Sequence, residues 1–459
     1  MKIKNLILGT MFAGLAASAS AQTTEITITG ATAFRQATMQ AIYDAYDSVG
    51  DLGTGFNVCH DFSGNNLSQL IASNKAVFSG TFPGITGTTV IRTSFNGSAE
   101  GLNAIAGSNN PTFLTAAALG TPGAVIKGST TTPTEILRPK FSFSDVYQSS
   151  TPITSNELTG TRVGVVTFCM IANEGAPADL TNVTNQQARA LWANGIQPLS
   201  LFTGDPTDRP SYTVNGTSAA SADAAYVFAT GRNDGSGTRA AYLTEWTYGV
   251  ANLVNQYIVT KTGTTGNSTI TKITAVPENG VGTANTETSG ASNASTLWGN
   301  NNVGNGGYSS SSALRTIMGY TSPSVTVYDG ESQDALYENQ KVLLLTWLSS
   351  ADSRDVATAG GKILSYNGVG ITPIVAAGSY LSSGFNEADF KKIATGAYSA
   401  WSYQHLYYHG SLSSQETEWF NRMKNTWLPS GLQTTSNGVR LSDISVSRPD
   451  DGFPIVAPL

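Results

Sequence analysis

The chain has 459 residues, more than one ordinary domain of roughly 100 to 200 residues contains, so we expect two domains. Charged residues make up 12% of the sequence, the formal net charge is -6 and the isoelectric point is near 5.2. These values exclude an overall positive field that would attract nucleic acid or anionic lipid, and we expect neither as a partner.

The N-terminal residues have the pattern of an export signal. Lys2 and Lys4 precede an apolar run over residues 6–17, and Ala19-Ser20-Ala21 follows as a small-x-small cleavage site. This pattern predicts a secretory signal peptide over residues 1–21 and a periplasmic or secreted mature protein. The run is shorter than the ~20 residues that span a bilayer, so we expect no membrane insertion.

A strand, a glycine turn and a helix follow one another at three places. The first unit has an alternating strand over residues 26–29, then Gly30, then a helix whose apolar face comprises Phe34, Ala37, Ala41, Ile42 and Ala45. The second has a strand over 89–92, a turn over 96–98 and a helix with Leu102, Ile105 and Ala106. Alternating strands and helices predict an α/β fold with ligands beyond the strand ends.

The third unit carries the residues best suited to bind an anion. A strand over 226–229 and a turn over 232–238 precede a predicted helix with Tyr242, Trp246, Val250 and Leu253 on one face. Unpaired N–H groups at a helix N-terminus favour anions, and a serine, a threonine and an arginine in the turn would add donors. By itself the turn is equally well explained as a polar turn that caps a helix.

Three polar segments, residues 51–89, 107–139 and 281–312, are predicted to be loops or insertions, and the last of them contains Trp298. Towards the C-terminus, residues 387–393 predict an amphipathic helix and residues 396–403 predict a buried strand or crossover. Trp419, Met423 and Trp427 then recur at helical spacing before Pro429.

The cysteines and histidines give no clear metal or catalytic site. Cys59 and Cys169 are compatible with one disulfide in an oxidising compartment or with two buried thiols. His405 and His409 have helical i, i+4 spacing but lack the glutamate of a metalloprotease motif. We therefore expect no cofactor, no metal and no enzymatic activity.

Several separated segments resemble the phosphate-binding proteins of ABC-type phosphate importers. The resemblance is carried by an opening turn at residues 29–34, a Gly-Ser turn at 96–101, Phe143-Ser144-Asp145, the complete Arg-x-Asp-Gly-Ser-Gly-Thr signature at 232–238 and an aromatic return at 396–408. The chain departs from the family at Ala33, where the family has threonine, and Thr32 stands one place earlier.

The resemblance implies a two-lobed periplasmic binding protein fold of type II with long insertions. Lobe I would combine residues 22–171 with 394–459, and lobe II would comprise residues 172–393. It implies binding of inorganic phosphate, or a similar tetrahedral oxyanion, for delivery to an ABC transporter membrane complex. The implied ligand-binding residues are Thr32, Ala33, Phe34, Ser98, Asp145, Arg232, Ser236, Gly237 and Thr238.

Within this implied site, Ser98, Ser236 and Thr238 would donate hydroxyls, Arg232 its guanidinium, and Asp145 would accept a proton from the ligand. Arg35 would be either a second cation near the site or a solvated helix residue, and we favour the second. The alternative function is a secreted structural or adhesive protein that keeps this fold and a retained or degenerate anion site, while its polar insertions make the contacts.

Overall fold

The computed structural model describes residues 23–49, 56–119, 126–129, 133–155, 157–263, 268–276, 291–292, 302–330, 334–375, 378–435 and 438–457. The predicted signal peptide, Trp298 and most of segment 281–312 lie outside the described residues. Within the described ranges, no helix has both the length and the apolar character needed to cross a bilayer.

The strands are short except where the chain crosses the middle of the main sheet. In chain order they are β1 (Thr23–Gly30), β2 (Phe56–His60), β3 (Lys75–Gly80), β4 (Thr88–Phe95), β5 (Thr112–Leu114), β6 (Ile126–Gly128), β7 (Thr134–Ile136), β8 (Phe141–Ser144), β9 (Leu158–Ala172), β10 (Asn182–Val183), β11 (Ile196–Pro198), β12 (Thr213–Val214), β13 (Thr217–Ser218), β14 (Tyr226–Ala229), β15 (Tyr257–Thr262), β16 (Thr269–Ala275), β17 (Ala291–Ser292), β18 (Gly307–Tyr308), β19 (Val325–Tyr328), β20 (Ala335–Gln340), β21 (Val342–Ser349), β22 (Lys362–Tyr366) and β23 (Trp401–His409).

Helices lie between these strands along most of the chain. They are α1 (Arg35–Asp47), α2 (Leu67–Ala72), α3 (Ser98–Ile105), α4 (Asn185–Asn194), α5 (Ser200–Thr203), α6 (Gly237–Glu245), α7 (Ser311–Ile317), α8 (Ser350–Thr358), α9 (Glu387–Ala394), α10 (Ser414–Arg422) and α11 (Leu428–Thr435). A short 3-10 turn over Thr32–Phe34 leads into α1. The mixture confirms the predicted α/β class.

A large mixed sheet forms the centre of the described structure. Its strands lie in the order β11, β14, β21, β9, β23, β8, β1, β4, β3, β2 and β6, with β22 and β10 attached beside β9. β1 is parallel to both β4 and β8, and β14 is parallel to β21. The carboxyl ends of neighbouring parallel strands therefore meet at one edge, where their turns come together.

The long strand β9 connects the two halves of this sheet. Its first part pairs with β23, and its last five residues pair with β21. Strands from residues 23–144 lie on one side of the β9 and β23 pair, and strands from residues 196–349 lie on the other. The predicted lobe boundaries near residues 171 and 394 stay a prediction.

The three predicted strand and helix units are present, and the third helix is shorter than predicted. The predicted apolar face of α1 is completely buried. The helix α6 ends at Glu245, so Val250 and Leu253 lie beyond it, and Leu253 is exposed. Thr247 and Gly249, with φ of 52° and 92°, take left-handed conformations that a continuing helix does not allow.

Residues 51–89 and 107–139 were predicted to be loops or insertions, and both contain strands, some of which belong to the main sheet. The first segment contains β2, α2 and β3, and the second contains β5, β6 and β7. β3 pairs with β4 and β2 pairs with β3, so they extend the main sheet. Phe56 and Phe78 on these strands stack against Tyr46 of α1, at ring distances of 5.3 and 5.9 Å. Strands this short give weak periodicity, and pairing with a neighbour stabilises them.

In the C-terminal part of the chain, the predicted helix and the predicted strand are present, but the helical spacing of the two histidines is wrong. The predicted helix over residues 387–393 is α9. His405 and His409 lie on the strand β23, so their spacing is not helical. Pro429 does not end the last helix, because it lies in the first turn of α11 directly after a π-helical turn over Met423–Trp427. A proline within a continuing helix removes one backbone donor, and the ladder of hydrogen bonds is already interrupted at a π-helical turn.

The two cysteines are buried on separate strands, Cys59 on β2 and Cys169 on β9, and no disulfide joins them. Burial raises the pKa of the Cys169 thiol to about 12, so it is unreactive near neutral pH. Thiol titration of the unfolded, unreduced mature protein should therefore find two thiols. The folded protein should show no reaction at Cys169. A protein without titratable thiol after unfolding would contradict this arrangement.

Candidate functional site

The turns that follow β1, β4 and β14 are in direct contact. The N–H of Gly97 donates to the carbonyl of Gly30 at 3.0 Å, and the N–H of Glu100 donates to the carbonyl of Gly235 at 3.4 Å. Gly97 has a φ of 128°, and a Cβ at this position would lie 2.6 Å from the carbonyl oxygen of Gly235. Only glycine allows the two backbones to approach this closely. The N-termini of α3 and α6 therefore face one another.

The carboxylate of Asp145 lies between these two helix N-termini. Asp145 follows β8 and is 1% exposed. Its Oδ1 accepts a hydrogen bond from the Ser98 hydroxyl, and its Oδ2 accepts one from the Thr238 hydroxyl at 3.5 Å. Its own N–H donates to Ser98 Oγ at 3.2 Å. A Cβ on Gly237 would lie 1.7 Å from Oδ1, which puts the carboxylate against the first residue of α6.

The sequence of the signature explains why a helix begins at this point. Ser236 is the N-cap of α6, and its hydroxyl accepts a hydrogen bond from the N–H of Arg239 at 3.4 Å. Gly237 and Thr238 are the first two residues of the helix. The N–H groups of a first turn have no partner within the helix and carry a partial positive charge. This end of α6 is therefore suited to an oxyanion.

Arg232 is fully buried beside this helix end. Its Nε donates to the carbonyl of Tyr308 at 3.0 Å, and its Nη2 donates to the carbonyl of Ser309 at 2.8 Å. Burial lowers the pKa of Arg232, and the charge of Asp145 opposes this effect. These two hydrogen bonds connect the chain at β18 to the Arg-x-Asp-Gly-Ser-Gly-Thr segment over residues 232–238. Arg232 thus places a buried positive charge near enough to influence the Asp145 carboxylate.

The acidic groups near α6 have raised pKa values. Burial raises the pKa of Asp145, while hydrogen bonding to Ser98 and the charge of Arg232 partly lower it. Burial and the nearby Asp234 raise the pKa of Glu100 to about 7. With a pKa of about 7, Glu100 is partly protonated near neutral pH, which reduces the negative charge that an incoming anion meets.

Glu100 and Arg239 lie at the site but were not among the predicted residues. Glu100 is in the first turn of α3, and its side chain lies against Gly235. Arg239 is buried in the first turn of α6 and donates from Nη2 to Asn305 Oδ1 at 2.6 Å. The available signal was their position directly after the two turns, since first-turn side chains lie close to whatever binds at the helix end.

The predicted site residues separate into two groups. One group meets at the two helix ends and is called the anion cluster below: Ser98, Asp145, Arg232, Ser236, Gly237 and Thr238. In the other group, Phe34 is buried against Phe143 at a ring distance of 5.4 Å, and its N–H donates to the carbonyl of Ala31 at 3.3 Å. Thr32 and Ala33 line a cavity beside the cluster.

The donors in the anion cluster are hydroxyls, backbone N–H groups and a guanidinium. In the part of the chain that the structure describes, no group of three or more His, Cys, Asp or Glu side chains is arranged to hold a metal ion. Hydroxyl, N–H and guanidinium groups are donors that recognise oxyanions.

No protein-family profile matches this sequence, and no curated protein sequence matches it significantly. Solved structures give weak similarities. A putative phosphate ABC transporter substrate-binding protein with bound phosphate from Clostridium perfringens has 11% identity, with 91% of this chain and 99% of that chain covered, at a TM-score of 0.39. An ABC-type phosphate transport receptor from Vibrio cholerae has 10% identity, the same two coverages and a TM-score of 0.39.

A human phosphate-binding apolipoprotein has 12% identity, with 91% of each chain covered and a TM-score of 0.35. TM-scores and identities this low assign neither a family nor a ligand to this chain.

Proposed function

We propose that the anion cluster binds inorganic phosphate. The observation that supports this most is the position of the Asp145 carboxylate, which accepts hydroxyls from both facing turns at the N-terminus of α6. A carboxylate is itself an oxyanion, so the hydroxyl donors here are already arranged around one. A tetrahedral oxyanion requires hydrogen-bond donors and positive charge. Ser98 and Thr238 supply hydroxyl donors, and Arg232 supplies the charge.

In the proposed phosphate complex, Ser98 and Thr238 donate to phosphate oxygens instead of to Asp145. The ionised carboxylate then accepts a hydrogen bond from the O–H of the phosphate, whereas it would repel an oxyanion that carries no proton. Near neutral pH phosphate still carries a proton, whereas sulfate has none. Asp145 would therefore distinguish phosphate from sulfate.

Entry of phosphate requires the two helix ends to separate. We propose that lobe I, residues 22–171 with 394–459, and lobe II, residues 172–393, move apart about the chain crossings near residues 171 and 394, where the end of β9 pairs with β21. Such hinge motions are common in two-lobed binding proteins. We also propose that the protein binds phosphate outside the cytoplasm and delivers it to an ABC importer in the membrane.

Asp145→Asn should relax the preference for phosphate over sulfate. The asparagine amide can donate to a fully deprotonated oxyanion, so the sulfate affinity should rise relative to the phosphate affinity. The measurement is calorimetric titration of the mature wild-type and Asp145→Asn proteins with phosphate and with sulfate at neutral pH. Asp179→Asn, at an exposed aspartate, is the matched control and should keep the wild-type preference.

If wild type prefers phosphate and Asp145→Asn prefers it equally, Asp145 does not recognise the proton. In that case Asp145 acts only as a structural residue that joins the two turns, and selectivity for phosphate must come from other groups.

A second candidate function is a secreted structural or adhesive protein. One observation favours it: the hydroxyls of Ser98 and Thr238 are both satisfied by Asp145, so the cluster can connect the two turns without a ligand. The same titration separates the candidates. Absence of binding heat with both phosphate and sulfate, in a folded wild-type protein, would support the second and reject the first.

A further inference from the structure

A polar cavity of about 320 Å³ lies beside the anion cluster. Its walls come from the turn before α1, from the chain before β3 and from the first turns of α7 and α8. Among the lining residues are Thr32, Arg35, Ser310, Ser311, Arg315 and Asp352. The cavity is beyond the carboxyl ends of β1 and β21, which is where α/β sheets bind their ligands.

The volume of the cavity suits a small organic molecule. Pockets for such ligands start at roughly 300 Å³, whereas one water takes about 30 Å³ of liquid volume, so about 320 Å³ holds far more than a bare tetrahedral oxyanion. The partly exposed ring of Phe62 adds an apolar patch to the wall. An oxyanion alone would leave most of this space unfilled, whereas a small organic anion would fill it.

Two arginines supply positive charge to the cavity. Arg35 is half-buried rather than solvated, its Nη1 donates to Asn74 Oδ1, and its Nε is buried without an acceptor. Arg315 reaches Asp355 Oδ2 at 2.7 Å and Asp352 Oδ1 at 3.7 Å. Arg315 is thus largely neutralised by its carboxylate partners, and Arg35 is the cation more available to a ligand. A guanidinium in a polar cavity favours a carboxylate or phosphoryl group.

The remaining polar groups favour a ligand with hydroxyls. Thr32, Ser310 and Ser311 contribute hydroxyls to the lining, and these both donate and accept. Asp352 lines the same cavity, and its Oδ2 accepts a hydrogen bond from Ser349 Oγ at 2.8 Å. A carboxylate in the wall accepts from a ligand hydroxyl and would repel a second anionic group. A single oxyanion group on a hydroxylated skeleton fits this distribution.

We propose that this cavity is a second binding site, separate from the anion cluster, for a small hydroxylated organic anion. The oxyanion group binds Arg35 and the Thr32 hydroxyl, and the ligand hydroxyls bind the serines and Asp352. The two sites share a wall, because the carbonyls of Tyr308 and Ser309 that hold Arg232 directly precede Ser310. A phosphomonoester and a hydroxycarboxylate share the required chemistry.

The test is calorimetric titration with glycerol 3-phosphate and with malate, which represent the two sources of the oxyanion. At least one of them should bind the wild-type protein, and the one that binds identifies the source. Arg35→Gln should weaken this binding about tenfold or more, since it removes charged hydrogen bonds. Arg189→Gln, at an exposed arginine outside the cavity, should bind as wild type does.

Binding of neither probe, or equal binding by wild type and a folded Arg35→Gln protein, would overturn the proposal. If Arg35→Gln does not fold, Thr32→Val removes the other group assigned to the oxyanion, its hydroxyl, and should also weaken binding of the probe. Binding of the organic probe that is lost in Arg232→Ala but kept in Arg35→Gln would put the oxyanion group in the anion cluster and would also overturn it.

The outcome is independent of phosphate binding at the anion cluster. Inorganic phosphate should bind Arg35→Gln as it binds wild type. Wild-type protein that binds an organic probe but not phosphate would reject the proposed function and leave the second site supported.

Discussion

Gly237→Ala should abolish measurable phosphate binding and destabilise the protein. The added Cβ would lie 1.7 Å from Asp145 Oδ1 and 2.4 Å from Ser98 Oγ, so both side chains must move. Overpacking of this kind costs ~1–3 kcal/mol, and the same methyl group would occupy the space where an anion approaches the α6 N–H groups. Calorimetric titration with phosphate measures the binding, and urea unfolding measures the stability.

Gly378→Ala is the matched control for this substitution. The Cβ at position 378 would meet its nearest neighbour, Ile374 Cδ1, at 4.0 Å, which is an ordinary contact. This variant should bind phosphate and unfold as wild type does. Wild-type phosphate affinity in Gly237→Ala would mean that the N-terminus of α6 is not part of the binding site.

Arg232→Ala should lower the phosphate affinity by roughly tenfold or more and should also destabilise the protein. A hydrogen bond to a charged group contributes ~1.5–3 kcal/mol, which corresponds to about one to two orders of magnitude in affinity. The structure adds a second consequence: the carbonyls of Tyr308 and Ser309 lose the guanidinium as a donor, and among the described residues only Tyr308 keeps another, the N–H of Asn233. Asp145 also loses a nearby positive charge. Titration with phosphate and urea unfolding separate the two effects.

Arg209→Ala tests whether loss of any arginine has the same result. Arg209 is exposed, its Nε donates to Ser211 Oγ at 3.2 Å, and it is not one of the residues of the anion cluster. Arg209→Ala should therefore leave the phosphate affinity and the free energy of unfolding close to those of wild type. A folded Arg232→Ala protein with unchanged phosphate affinity would remove Arg232 from the site and with it the main argument for phosphate.

Local patterns were sufficient to predict the three strand, turn and helix units. The alternation in β1, the helical spacing in α1 and the Ser-Gly-Thr sequence at the start of α6 depend on neighbouring residues along the chain. The same is true of α9. The sequence was misleading where an element owes its stability to a distant partner, as β2 and β3 do through pairing with each other and with β4.

The arrangement of the anion cluster depends on contacts between residues that are far apart in the chain. Asp145 bonds to Ser98 across 47 positions and to Thr238 across 93. The resemblance grouped Asp145, Ser98 and Thr238 in one site, but no periodicity carries information over such distances, so the hydrogen bonds that join the carboxylate to both hydroxyls could not be foreseen. The raised pKa of Glu100 has the same origin, because burial and Asp234 are brought to it by the fold.

In the neighbouring cavity too, the local elements could be predicted from the sequence, but the set of lining residues could not. The sequence predicted a turn at Thr32 and a helix after it, and both are present. Only the folded chain brings Arg35 to one cavity with Arg315 and Asp352, which come from α7 and α8. Helix and strand types follow from the chemistry of adjacent residues, whereas a binding cavity is formed by side chains whose proximity exists only after the sheet has assembled.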